Sequence, residues 1–275
     1  MFRPGNIGHL GRLGLVAASR PSLVAQALAI LAKYGSAANL YLPGVGAISG
    51  ITAGNWLDTV GGTPATVDGA VGTVVNAIGG ANLTQATTAN KPILRLSGSV
   101  YSWQFDGVND SLSFTALPFG MSDDHCVIVS AQIASVAQNS DMFAMRSTAS
   151  SNPIIVLRAS TTGSVQALYR DNAQPTVEII SSTSTFALNT QFIAGMRKIG
   201  NSKIVRLNAS GQAQGNVAFG ASTFTGASLG VSPTATPAQY TNGRISSVIA
   251  VKGAVTDYDL SVLERWLGSF SGVTL

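Results

Sequence analysis

The sequence predicts an all-β sandwich that carries an N-terminal arm with a helix and ends in a short C-terminal helix. Short apolar or alternating runs follow one another from Ser99 onward, about ten residues apart, with Gly, Asn, Asp or Pro between them. This spacing is typical of a sandwich or barrel of short strands. Only 10% of the residues are charged and 45% are hydrophobic, so the chain has the apolar content of a folded domain and lacks the signature of disorder.

Length and cysteine usage exclude other classes of protein. The 275 residues have room for one all-β domain of about 200–250 residues and an appendage. Cys126 is the only cysteine, so an internal disulfide framework and a cysteine-based zinc site are excluded. No stretch of about 18 apolar residues occurs, and a membrane-spanning helix is not expected.

The positive charge is confined to the N-terminal segment. The net charge is +4, and no acidic residue precedes Asp58, whereas the remaining 12 basic residues are matched by 12 acidic ones. A neutral main body with few scattered cations and no interleaved aromatic residues argues against a nucleic-acid partner. The sequence therefore predicts an anchoring arm.

The first helix is predicted over Pro21–Tyr34. Pro21 suits a first-turn position, Gly35 suits the C-terminal cap, and an apolar stripe runs along one face. We expect this stripe to be buried on a partner, because a hydrophobic face without a core of its own gains free energy only when it is covered. The residues predicted to anchor the chain to a larger particle are Arg3, Arg12, Arg20, Leu23, Ala27, Ile30, Lys33 and Tyr34.

The domain boundary is accordingly placed between residues 53 and 54, with the arm and amphipathic helix over 1–53 and the sandwich over 54–275. Deleting residues 1–53 should then leave a folded domain. A secretory signal is the alternative for the N-terminal segment, with Arg3 and Arg12 before an apolar region over 22–32. Gln26 and Lys33 interrupt that region, which favours the anchoring arm.

Eleven runs from residue 100 onward are predicted to be strands, and the last segment is predicted to be a helix. Thr256 is a suitable N-cap with Asp259 three positions later, and Leu260, Leu263 and Leu267 form the apolar face of that helix. The predicted strands are Val100–Phe105, Ser111–Ala116, Cys126–Ile133, Met142–Arg146, Ile154–Ala159, Val165–Tyr169, Thr176–Ile180, Gln191–Lys198, Lys203–Asn208, Val217–Phe219 and Arg244–Val251.

Three stretches together resemble a known family. They are WLDTVGGTPATVDGAVG over 56–72 followed by ATTANKPIL over 86–94, WQFDGVNDSL over 103–112, and NGRISSVIAV over 242–251 leading into TDYDLSVLERWL over 256–267. Their order resembles the concanavalin A-like, laminin-G-like jelly-roll domains of bacteriophage virion structural proteins, over residues 54–275. In WQFDGVNDSL, Phe105 and Leu112 are expected to point into the sandwich, with Asp106-Gly107 as the turn between their strands.

The resemblance implies a non-enzymatic protein located on a virion. Its N-terminal segment would dock to other virion proteins, and its sandwich would be displayed as a decoration, fibre or adhesin head, in a homo-oligomer. The alternative that it implies is a receptor-recognition lectin that binds host surface glycan. A glycan hydrolase is a weaker alternative, because hydrolysis needs a pair of carboxylates and the two glutamates, Glu178 and Glu264, lie far apart in the sequence.

Two polar clusters in the sequence are candidate sites. Asp106, Asn109 and Asp110 could offer oxygen ligands to calcium, but the same residues suit an Asx-type turn and the glutamate that usually closes a calcium loop is missing. No cofactor is therefore predicted, with calcium left as the alternative. His125 and Cys126 are adjacent on a predicted strand and should point to opposite faces, so we expect Cys126 to be a core residue and not a nucleophile.

Overall fold

Two antiparallel β-sheets stack face to face, and two helices pack on the outer face of one of them. The computed structural model describes residues 21–44, 51, 54–147, 153–172, 177–220, 222–233 and 238–275. The helices are α1 (Leu23–Tyr34) and α2 (Asp257–Ser271), and short 3₁₀ turns span Gly35–Ala37 and Thr88–Asn90. In chain order the strands are β1 (Ala38–Tyr41), β2 (Asn55–Trp56), β3 (Thr73–Val74), β4 (Leu83–Thr84), β5 (Ile93–Ser97), β6 (Val100–Asp106), β7 (Leu112–Phe114), β8 (His125–Ile133), β9 (Ser140–Arg146), β10 (Ile154–Ala159), β11 (Ser164–Arg170), β12 (Glu178–Thr185), β13 (Gln191–Ile199), β14 (Ser202–Leu207), β15 (Ser210–Gly215), β16 (Gly226–Leu229) and β17 (Asn242–Lys252).

Within the described residues, the first sheet has the order β15-β14-β13-β8-β17-β6-β5, and β1 pairs with the C-terminal half of β17. The second sheet has the order β12-β11-β10-β9-β16-β7-β4-β3-β2. Consecutive strands often lie in different sheets, as β6 and β7 do on either side of the Asp106-Gly107 turn. The predicted all-β sandwich with two flanking helices is confirmed.

Side chains of the central strands point alternately to the two faces of the first sheet, so one set is buried between the sheets and the other is buried against the helices. In β8, Val127, Val129 and Ala131 are buried between the sheets, whereas Cys126 and Ile128 are buried against the helices. A strand that is covered on both faces reads as a continuous apolar run, which is why β8 and β17 were readily predicted. Phe105 and Leu112 lie in the core between the sheets, as expected.

Helix α1 packs on its own chain, and this corrects the expectation that its apolar face docks elsewhere. Ala27 and Ile30 are buried in the same cluster as residues of α2 and of the first sheet, and Leu23 packs at the edge of that cluster. Lys33 Nζ lies 3.0 Å from Asp259 Oδ1, and the Tyr34 hydroxyl donates to the carbonyl oxygen of Ala254 at 3.3 Å. Arg3, Arg12 and Arg20 lie outside the described residues.

Strand β1 also belongs to the sandwich, although it lies in the segment 1–53 that is predicted to be an arm. Ala38–Tyr41 pairs with Val248–Val251 of β17 and is fully buried. A strand that completes the first sheet is part of the sandwich, so the segment assigned to the arm contributes a helix and a strand to the domain. The sequence did not predict β1 because a strand of four residues carries little periodicity.

Helix α2 has the predicted cap and apolar face. The Thr256 side chain accepts a hydrogen bond from the Asp259 N–H at 3.1 Å, and Leu260, Leu263 and Leu267 are buried. The helix lies across the outer face of the first sheet, because its apolar face meets the outward residues of β8, β13 and β17.

Most predicted strands overlap observed ones, and two predictions differ more widely. Val217–Phe219 is not a strand, because β15 ends at Gly215 and the chain beyond it is irregular. The strand predicted over Thr176–Ile180 is β12, which begins at Glu178; Thr176 lies outside the described residues. No helix among the described residues is long and apolar enough to cross a membrane.

Candidate functional site

A polar depression of about 230 Å³ lies on the outer face of the first sheet, at the end that the helices leave open. Its floor comes from β6, β8 and β17, and the loop before β13 contributes Asn189. The lining residues are Ser97, Gln104, Phe105, Gln132, Ala134, Asn189, Asn242, Gly243 and Arg244.

Strand register places three long polar side chains in one row across the floor. Arg244 of β17 is directly opposite Gln104 of β6 on one side and Gln132 of β8 on the other. Their neighbours along each strand, such as Trp103 and Ala131, are buried between the sheets. Because successive strand residues point to opposite faces, the three polar side chains project outward together.

The two glutamine side chains are held by neighbours. Arg95 Nε donates to Gln104 Oε1 at 2.8 Å, which leaves the Gln104 amide N–H₂ as a donor. Gln132 Nε2 donates to the backbone carbonyl of Asn189, which leaves Gln132 Oε1 as an acceptor. The row therefore offers both donors and acceptors in fixed positions.

Arg244 supplies the positive charge in the lining of the depression. None of the ion pairs among the described residues includes Arg244, and no hydrogen bond of its guanidinium occurs there. The residue is half-buried. A half-buried guanidinium presents a fork of donors to a carboxylate, sulfate or hydroxyl oxygen.

The depression has no acid, base or nucleophile of its own: its lining contains no Asp, Glu, His or Cys. The two glutamates lie elsewhere and are already paired. Glu178 Oε2 is 3.0 Å from Lys203 Nζ, and Glu264 Oε2 is 3.2 Å from Arg206 Nη2. The site can bind through hydrogen bonds and one positive charge, and its lining offers no general acid–base pair.

In the loop given above as the alternative calcium site, the Asp106 carboxylate accepts hydrogen bonds from the backbone of the same loop. Asp106 Oδ1 accepts from the backbone N–H groups of Val108, Asn109 and Asp110 at 2.8, 3.0 and 3.3 Å. Burial raises the pKa of Asp106, but these N–H groups lower it by more, so the net direction is downward. Burial and the neighbouring Asp106 raise the pKa of Asp110 to about 7. This is the hydrogen-bonding pattern of an Asx-type turn, and the described residues contain no group of three or more His, Cys, Asp or Glu placed to hold a metal ion.

His125 and Cys126 point to opposite faces, as predicted. The His125 ring stacks on Phe119 at a centroid distance of 4.2 Å, and its Nε2 lies 3.3 Å from the Tyr169 hydroxyl. Cys126 is buried on the helix side, where burial raises the pKa of its thiol. The two side chains do not form a catalytic pair.

Gln104, Gln132 and Arg244 are not recognisable as site residues from the sequence alone. Each stands beside core residues of a strand, which is the ordinary place of a solvated residue, and only the register brings them together. The alternation in Trp103-Gln104-Phe105 was a signal for outward orientation, but nothing in the sequence reports which strands are neighbours.

Comparison with known proteins gives the fold. No family model matches the chain, and no curated protein matches it. Among solved structures, a Trypanosoma rangeli sialidase is 10% identical with a TM-score of 0.54, over 92% of this chain and 39% of the sialidase. The same sialidase in complex with sialic acid is 11% identical with a TM-score of 0.54. A Ruminococcus gnavus IT-sialidase CBM40 bound to alpha2,3 sialyllactose is 10% identical with a TM-score of 0.46, over 52% of this chain and 82% of that one. The chain thus spans about two fifths of the sialidase that it matches, and at this identity the likeness concerns the fold.

Proposed function

We propose that the protein is a non-enzymatic, glycan-binding β-sandwich that is displayed on a bacteriophage particle. The observation that carries the glycan-binding part is the open, amide-lined depression with Arg244 unpaired at its centre. Sugar hydroxyls are both donors and acceptors, and the row Gln104–Arg244–Gln132 offers both kinds of partner.

The size of the depression limits what it would hold. Pockets for drug-sized ligands usually measure about 300–1,000 Å³, and this one measures about 230 Å³. We infer that it takes a single sugar unit, with the rest of a longer glycan lying outside it.

The non-enzymatic part is supported by the chemistry of the lining. Glycoside hydrolysis ordinarily needs two carboxyl groups that face the scissile bond, and the lining contains none. Binding followed by release of the intact glycan is the expected outcome.

The phage part is supported by the sequence resemblance of residues 54–275. Display on a particle and a homo-oligomeric state belong to the proposal on that basis. The attachment surface is no longer the apolar face of α1, since that face is covered by α2 and the first sheet.

The test is a glycan-array screen of the full chain, followed by calorimetric titration of the best ligand. Arg244→Gln should weaken binding by about tenfold or more, because a hydrogen bond to a charged group contributes about 1.5–3 kcal/mol. Arg265→Gln is the matched control, since Arg265 lies exposed on α2, outside the depression.

Three results would contradict the proposal. The first is that no glycan binds to the folded full chain. The second is equal loss of affinity in the Arg244 and Arg265 variants. The third is cleavage of the bound glycan, detected as new reducing ends, which would refute the non-enzymatic part alone. If the protein is displayed on a phage particle and binds host glycan, the full chain should compete with intact particles for adsorption to host cells.

A further inference from the structure

The first sheet has a gap where β17 changes its partner strand. β17 pairs with β6 as far as Ile245, and it pairs with β1 from Val248 onward. Ser246 and Ser247 lie between these two pairings, at the register shift of β17 against β8. On the side of β17 that faces β6 and β1, the strand pairing of the described residues therefore passes over these two serines.

A pocket of about 170 Å³ lies at this gap, and we call it the gap pocket. Ser246 lines it from β17, Tyr101 lines it from β6, and Ser99 lines it from the turn before β6. Ser269 and Phe270 line it from the C-terminal end of α2. The pocket is thus bounded by two strands, a turn and a helix end.

The gap pocket adjoins the depression that contains Arg244. Arg244 and Ser246 are two residues apart on β17, which is about 6–7 Å along a strand. Ser97 lines the depression and Ser99 lines the gap pocket, on either side of Gly98 in the turn between β5 and β6. Because two separate elements each contribute one residue to both spaces, a ligand longer than one sugar unit can extend from the depression into the gap pocket.

The gap pocket offers hydrogen-bonding groups that the fold leaves available. Gln191 Nε2 donates to Ser246 Oγ at 3.0 Å, so the Ser246 hydroxyl keeps its own proton to donate. Ser269 Oγ donates to the carbonyl oxygen of Trp266 at 2.6 Å and keeps its lone pairs to accept. The buried hydroxyl of Ser247, next to Ser246, has no hydrogen-bond partner among the described residues, and a buried polar group without a partner is costly.

The rest of the lining is aromatic and uncharged. Tyr101 and Phe270 are half-buried, and their rings offer apolar surface to the C–H groups of a sugar ring. The described lining residues of the gap pocket include no Asp, Glu, Lys, Arg or His. The gap pocket therefore suits a neutral sugar with many hydroxyl groups, whereas the guanidinium of Arg244 suits a carboxylate.

We propose that the gap pocket is a second subsite and that the ligand is an acidic glycan. A sugar that carries a carboxylate lies in the depression, where the Arg244 guanidinium binds it with paired hydrogen bonds, and the next, neutral sugar lies in the gap pocket. The inference rests on the proposed function, because it extends the same site and names the class of glycan.

The experiment titrates the full chain by calorimetry with methyl glucuronide, cellobiouronic acid and cellobiose. Cellobiouronic acid is glucuronic acid joined to glucose, and it differs from cellobiose in carrying a carboxylate. It should bind about tenfold more tightly than methyl glucuronide, because the second sugar gains about two hydrogen bonds. It should also bind about tenfold or more tightly than cellobiose, which has no charge for Arg244.

Ser97 and Ser99 give a matched pair of variants, since both are exposed and they lie on either side of Gly98. Ser99→Trp fills the gap pocket, so it should abolish the tighter binding of cellobiouronic acid and leave the affinity for methyl glucuronide unchanged. Ser97→Trp blocks the depression and should weaken binding of both sugars. Equal melting temperatures of the two variants and the full chain control for folding.

Four results would overturn the inference. They are an unchanged affinity for cellobiouronic acid in Ser99→Trp, equal binding of methyl glucuronide and cellobiouronic acid by the full chain, binding of cellobiose as tight as that of cellobiouronic acid, and no binding of any of the three sugars. The proposed function would survive each of them if a glycan found on the array depends on Arg244. If Arg244→Gln leaves glycan binding unchanged, the proposed function itself is refuted.

Discussion

Replacing Ile30 by alanine tests whether α1 belongs to the sandwich. Ile30 is 3% exposed and packs in the cluster formed by α2 and the first sheet. Truncating a buried Ile, Leu or Met to Ala costs about 2–5 kcal/mol. At about 2–4 °C of melting temperature per kcal/mol for a chain of about 150–250 residues, a loss of about 3 kcal/mol corresponds to about 6–12 °C.

The assay is urea and thermal unfolding followed by circular dichroism. Ile179→Ala is the matched control, because Ile179 is 50% exposed on β12 and the same change should cost well under 1 kcal/mol there. Removal of residues 1–53 is the stronger perturbation. It takes away Ile30, Leu31, Leu40 and Tyr41, all 3% exposed or less, and each buried large apolar side chain contributes about 1.5–3 kcal/mol.

The summed loss is comparable to the whole stability of a typical domain, about 5–15 kcal/mol, so the truncated chain should not fold alone. Two results would refute the reasoning. One is a truncated chain that unfolds cooperatively at the full chain's temperature. The other is an Ile30→Ala change no larger than Ile179→Ala. Either would mean that α1 and β1 contribute little to the sandwich.

Two further predictions concern buried charges. Lys203 is fully buried, 3.0 Å from Glu178 and 4.9 Å from the Phe219 ring centroid. Lys203→Met should lower the free energy of unfolding, measured in urea, by about 3–5 kcal/mol. The double variant with Glu178→Gln should recover part of that loss, and an equal loss in the single and double variants would contradict the pairing. Burial raises the pKa of Glu264 to about 7, so the native state holds this proton more tightly than the unfolded chain and this group's contribution to stability falls as pH rises from about 4.5 to 7. Glu264→Gln should remove that pH-dependent part of the unfolding free energy, and an unchanged pH profile would count against it.

The sequence predicts what is encoded locally. The apolar run Cys126–Ile133 and the cap at Thr256 specify a strand and a helix within a few residues, and both were found. The Asp106-Gly107 turn was also found, because Asp106 accepts hydrogen bonds from residues that immediately follow it.

What the sequence does not predict depends on partners distant along the chain. Ile30 and Val262 are buried in one cluster, but an amphipathic helix carries no mark of whether its cover lies in the same chain or in another. The same holds for Arg146 and Arg170, which lie at the same level of the second sheet only because each is paired with Ile154 of β10. Short strands such as Ala38–Tyr41 were missed for this reason too, since pairing with β17 stabilises them more than their own periodicity does.

The outer face of the first sheet changes character along each central strand, and this division accounts for the position of the candidate site. On β8, Cys126 and Ile128 face the helices, whereas Gln132 lies at the open end. On β17, Ile249 and Val251 lie under the helices, and Arg244 lies on the other side of a register shift between Ile245 and Ser247. The apolar half needs a cover, which α1 and α2 supply, and the polar half does not. A helix that extended over Arg244 would bury an unpaired guanidinium, a large desolvation cost, so the residue pattern that places the helices also keeps the depression open.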